Sequence, residues 1–221
     1  FKKVPFQFTY IKLILNQSYP LILQHVIGIM SWEYFYILIE HHGARDLAVS
    51  NTMRNLFGFF GCFTWAFAAT TNTMVSNVIG QGRKEEVIPL IYRILKWSMG
   101  FAFVVFVFLN LFPSAFLGIY GQGDDFIEAG IPVLRIVSVA MIIMSAATIY
   151  VNAVTGTGNS KMNLFTEMAT IIFYLVYVYI VLEKMNLPIT WGWASEWLYW
   201  SIMFIPSFWY ISSKRWKKIS I

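Results

Sequence analysis

An all-α integral membrane bundle of six spanning helices is the fold class the sequence predicts, and three observations predict it. Only 12% of the 221 residues are charged and 58% are hydrophobic, against about 25% charged in a soluble globular domain, and mean hydropathy is +0.62. Apolar stretches of about 20 residues, the length needed to cross hydrocarbon as a helix, recur along the whole chain. Nothing alternates polar with apolar over an entire segment, as a membrane-spanning strand requires. Aromatic residues reach 19%, which suits rings anchored at lipid–water interfaces.

The spans are expected at about 18–40, 51–79, 91–113, 130–153, 163–183 and 193–212, forming a single lobe over residues 1–221. Ahead of the first, FKKVPFQFTY shows no apolar core followed by a small-residue cleavage site, so no signal peptide is read. The missing initiator Met points to a fragment or a processed piece. The first span ends in MSWEYFYILIEHHG, which places Glu33 among large apolar residues, about 10 Å deeper than Glu40. An ionised carboxylate in hydrocarbon costs at least ~2.5 kcal/mol, so Glu33 is expected to be buried with a partner. Glu40, His41 and His42 read as the solvated end of that helix, because adjacent helical side chains diverge while chelating His pairs stand three or four apart.

The second span opens with Arg54 and closes on the polar run TTNTMVSN. Arg54, or Arg135 early in the fourth span, lies at the right depth to pair with Glu33, giving a cluster that is either a static ion pair or a proton- or sodium-linked switch. Arg135, Ser138, Ser145, Thr148, Asn152 and Thr155 form a polar stripe along the fourth span. That stripe is expected to line a water-exposed groove, with Met141 softening its wall, or else to join helices. Pro20, Pro132 and Pro206 are expected to mark kinks or unwound points. The lone Cys62 excludes an intrachain disulfide.

Connections carry turn chemistry: HHGARD, GQGRKEE, PSAFLGIYGQGDD, GTGNSK and KMNLP. Their Gly-x-Gly pairs lack a third glycine and a βαβ context, so they read as helix-ending turns and imply no nucleotide. Most basic residues, 12 of 16, fall on one side of the predicted spans. Both termini are therefore expected in the cytoplasm of a plasma (inner) membrane protein. The formal charge of +5 then reflects loops and the tail SSKRWKK beside anionic lipid, not nucleic acid. No cofactor or metal is expected.

Taken in order, YPLILQ with MSWEYFYILIEHHGARDLAVSNTMRN, then TMVSNVIGQGRKEE, then YVNAVTGTGNSKMN resemble the carboxy-terminal half of a multidrug and toxic compound extrusion (MATE) transporter. The resemblance covers nearly the whole chain. It implies one six-helix lobe of a twelve-span antiporter that exchanges organic cations or other small amphipathic compounds for protons or sodium by alternating access. The amino-terminal lobe would stand in cis or on another chain. Many members carry a coupling glutamate eight residues after the seventh span's proline, where this chain has Gly28; Glu33 matches a second glutamate of plant and animal relatives. The tenth-span acid of some bacterial members has no counterpart in 136–155. The alternatives are a lipid-linked oligosaccharide flippase of the same superfamily, an intramembrane enzyme using Glu40, His41 and His42, and a truncated lobe that does not transport.

Overall fold

The computed structural model describes residues 8–218, and among them every regular element is helical. Lys2 and Lys3, two of the expected cytoplasmic cations, lie outside that range. Six long helices run side by side: α1 (Phe8–Glu40), α2 (Ala44–Gly80), α3 (Val87–Leu111), α5 (Asp124–Gly156), α6 (Ser160–Val178) and α8 (Ser195–Ser212). Two short helices, α4 (Pro113–Gly118) and α7 (Ile189–Trp193), fill connections that the sequence reads as loops. In α4, Pro113 at the first helical position starts a turn that buries Leu117. The first helix begins ten residues before the expected span, at Phe8.

Two glycines show why the helices stop where they do. Gly82 (φ 78°) and Gly158 (φ 84°) are left-handed. Arg83 N–H reaches Val78 O and Gly82 N–H reaches Ile79 O, and Asn159 and Gly158 repeat the pattern on Val154 and Thr155. These paired bonds satisfy the last helical carbonyls. Asn159 then caps α6 by accepting from Met162 N–H. No helix breaks at Pro20, Pro132 or Pro206, each of which lies inside a continuous helix. The irregular turn falls instead at Tyr179–Lys184, where α6 widens into a π-helix.

α5 is the central post, packed on α2, α3 and α8. α1 leans on α6 in parallel: Gln24–Glu167, His41–Glu183 and His42–Leu182 pair at sequence offsets of 143, 142 and 140. Two apolar clusters divide the interior. One, toward Glu40, centres on Phe35, Met53, Leu134 and Trp193. The other, toward Gly80, joins Val75, Ile91, Ile149 and Trp216. The outer face is equally apolar, with Ile14, Phe103, Leu111, Phe165, Ile172 and Ile205 exposed. That is the pattern of a bundle solvated by lipid. By length and composition, four segments suffice to cross a membrane: Ile14–Glu40, Lys84–Leu111, Asp124–Gly156 and Ser160–Lys184.

Candidate functional site

Glu33 leaves α1 one turn above Gly28 and meets Arg54 of α2, with Nη2 to Oε1 at 3.2 Å. Arg54 also lies over the Tyr36 ring, 5.1 Å from its centroid. Of the two expected cations the structure therefore selects Arg54. Arg135 is exposed on α5 and makes no ion pair among the described residues. Burial is corrected too, because the Glu33 and Arg54 side chains are 54% and 47% exposed. The span around Glu33 is apolar, but the face it shares with Arg54 opens outward from this lobe.

Within this lobe most of the polar stripe of α5 is taken up by contacts between helices. Ser138, Met141, Ser145 and Thr148 are buried. Ser138 accepts from Asn110 of α3 and donates to Arg135 O, and Ser145 shares a 2.7 Å hydrogen bond with Ser98 of α3. Thr148 and half-buried Asn152 bond back to Met144 O and Thr148 O of their own helix. These residues join α5 to α3 and satisfy themselves, as small polar groups do between membrane helices. The outer His pair is likewise engaged. His41 Nδ1 lies 2.9 Å from Glu183 Oε2, and His42 Nε2–H donates to Leu182 O in the π-turn.

A cavity of about 380 Å³ opens instead between α1, α2, α6 and α8. Aromatic walls come from Trp32, Trp65, Tyr174, Tyr199 and Trp200, and charge comes from Glu33, Arg54 and Glu196. The Tyr174 hydroxyl faces this region fully buried and makes no hydrogen bond of normal geometry. A second, shallower groove of about 920 Å³ runs between α1 and α6, and Glu33 belongs to its rim as well.

Two acids that sequence reasoning passed over are the buried ones. Glu196 and Glu167 are each only 3% exposed. Glu196, at the start of α8, accepts a 3.0 Å bond from Trp200 Nε1 one turn on. Glu167, in the middle of α6, accepts from Tyr199 Oη of α8 and from Gln24 Nε2 of α1 at 3.3 Å. Neither forms an ion pair among the described residues. The rule that singled out Glu33, an acid inside a predicted span, applied equally to both. A carboxylate so placed, held by neutral donors alone, takes up a proton or a cation to offset its burial. The site is thus an aromatic-walled pocket that carries the carboxyls of Glu33 and Glu196 and the guanidinium of Arg54.

The family model described as MatE matches residues 20–180. The probable multidrug resistance protein NorM of Xanthomonas axonopodis pv. citri (strain 306) is 27% identical over 118 residues, covering 53% of this chain and 26% of that protein. A MOP superfamily transporter from Pyrococcus furiosus superposes with TM-score 0.84 at 14% identity, over 92% of this chain and 45% of its own. A mutant of the Vibrio cholerae MATE transporter VcmN does so with TM-score 0.86 at 14% identity, over 93% and 47%. At those identities the solved structures share the fold. The chain spans less than half the length of these structures, and the matched region covers about a quarter of NorM.

Proposed function

Since the chain belongs to the MatE family, whose members are integral membrane transporters, we propose that it is the carboxy-terminal lobe of a cation-coupled efflux antiporter. In this reading all six long helices cross the plasma (inner) membrane, with both termini in the cytoplasm. An amino-terminal lobe, in cis or on another chain, completes the path. The substrate is an organic cation or another small amphipathic compound, and the coupling ion is a proton or sodium.

The observation that carries the reading is the cavity itself. Six aromatic residues and two acids face a space large enough for a small amphipathic ligand, within a bundle whose outer surface is apolar. Aromatic faces attract a desolvated organic cation by about 2 kcal/mol or more each, and a buried acid completes its neutralisation. The flippase alternative is less favoured, because Arg54 is already engaged by Glu33 and Arg135 stands away from the cavity's lining.

The test is transport by the chain assembled with its other lobe in proteoliposomes. An imposed proton or sodium gradient is expected to drive uphill movement of tetraphenylphosphonium. The Glu33→Gln variant is expected to express near the wild-type level with impaired coupling. Absence of gradient-driven movement in the wild type overturns the antiporter reading. Normal pumping by Glu33→Gln removes Glu33 from coupling. Expression that fails for Glu33→Gln but returns on apolar replacement of both Glu33 and Arg54 makes their pair a packing element only.

A further inference from the structure

The acid that the cavity does not display, Glu167, is the one most completely set up by its neighbours. Its carboxyl lies where α1 has no side chain. A β-carbon built on Gly28 would stand 3.5 Å from Glu167 Oε1. The oxygens meet Tyr199 Oη from α8 and Gln24 Nε2 from α1, so three helices converge on one carboxyl. Tyr199 and Gly28 also form part of the cavity wall, which leaves Glu167 one side chain away from that space.

We propose that Glu167 is a proton-uptake site of this lobe, loaded and unloaded through the cavity across Tyr199. The inference rests on the antiporter reading for its role in transport, but not for the protonation itself. The chemistry balances without another reactant. The Tyr199 hydroxyl gives its proton to a Glu167 carboxylate oxygen and takes one from a hydronium ion in the cavity, which is left as water; unloading is the reverse. Tyr199 serves both states, since its hydroxyl donates to the carboxylate and accepts from the carboxylic acid. The partners of this carboxyl are an amide N–H and a single hydroxyl, which suit a proton better than a metal cation that needs several oxygen ligands. The titratable and charged groups facing this region are Glu33 of α1, Arg54 of α2, Tyr174 of α6, and Glu196 and Tyr199 of α8. From α5 the neighbouring contacts are neutral, Val151 O and the Thr155 hydroxyl on Asn163. Loading is felt by α1 directly, because the Gln24 amide donates to a charged carboxylate oxygen before the proton arrives and to a neutral, weaker acceptor afterwards.

Infrared difference spectra of the purified full chain in lipid, recorded across a pH titration in H2O and D2O, test the proposal. The expected result is a protonated-carboxyl band that titrates in the wild type and in Glu196→Gln, and is lost in Glu167→Gln. Because Glu167→Gln removes a three-helix junction, a second variant joins Glu167→Ala to Gly28→Asp, moving the carboxyl across the notch; a titrating band is expected to return. In the assembled transporter, Glu167→Gln is expected to lower pH-driven uptake about tenfold, with the Gly28→Asp partner restoring part of it. A band unchanged in Glu167→Gln overturns the proposal, as does unaltered pH-driven transport by that variant. A titrating Glu167 band in a protein that shows no gradient-driven transport supports the proton site and overturns only the antiporter reading.

Discussion

At the scale of single residues, exposure separates acids that composition alone treats alike. Glu33 and Arg54 are about half exposed on the surface of this lobe, and a solvent-screened pair of this kind is worth about 0–1 kcal/mol. Replacing Arg54 by Met is therefore expected to change the detergent-solubilised chain's melting only slightly, while Glu196→Ala takes the acceptor from the part-buried Trp200 N–H and costs about 1 kcal/mol. Thermal melts of the two variants side by side check this; a large loss for Arg54→Met contradicts it. The sequence pointed to Glu33 because aromatic and aliphatic neighbours surround it in the chain, and it named Arg54 as one of two partners. It did not tell which face of α1 those neighbours occupy. That depends on α6 and α7 packing against the Phe35 side. Glu167 and Glu196 were legible by the same rule, within the spans predicted at 163–183 and 193–212.

At the scale of elements, helix existence followed from apolar run length, and each of the six expected spans overlaps a long helix. The role of the α5 stripe did not follow, because hydroxyls that line a groove and hydroxyls that join helices have the same spacing. Contact with Ser98 and Asn110 of α3 decides it. Closeness between α2 and α5 is decided by Gly156, where an added β-carbon would stand 2.9 Å from Asn72 O and from Val75 Cβ. Backbone cannot yield there as a flexible side chain can, so Gly156→Ala is expected to destabilise the lobe by about 1–3 kcal/mol. Denaturant or thermal unfolding reads the loss, and an unchanged midpoint contradicts the contact. The π-turn at Tyr179–Lys184 had no sequence signal, lacking both Pro and Gly. His42 donating to Leu182 O holds it against α1. His42→Ala is expected to raise amide exchange across 179–187 without altering exchange in α3, and equal exchange in both variants removes His42 as a latch.

Across the whole molecule, the contacts sort the loops into two ends. Residues 41 and 42 meet 182 and 183 at one end, and residues 84 and 85 meet 217 at the other. The second end closes on itself: Lys84 Nζ donates to Lys217 O, Lys217 Nζ donates to Glu85, and Trp216 is buried beneath with its indole N–H on Ile211 O. The segment after α8 is thereby clamped to the α2–α3 connection. The hydrogen bond from Lys217, reinforced by its charge, holds the Glu85 carboxyl below its ordinary value of 4.5. A carboxyl lowered by folding contributes stability that is present above its unfolded value and is lost as pH falls through the folded one. The clamp is thus expected to stay constant from neutral pH down to the ordinary carboxylate range and to loosen only below it. Glu85→Gln removes that acid limb and leaves the tail looser wherever Glu85 is ionised in the wild type, an effect salt should mimic for a pair this exposed. Amide exchange over residues 214–217, compared between wild type and Glu85→Gln at matched pH, measures it. Equal exchange at neutral pH would mean that burial of Trp216, rather than the ion pair, fixes the tail.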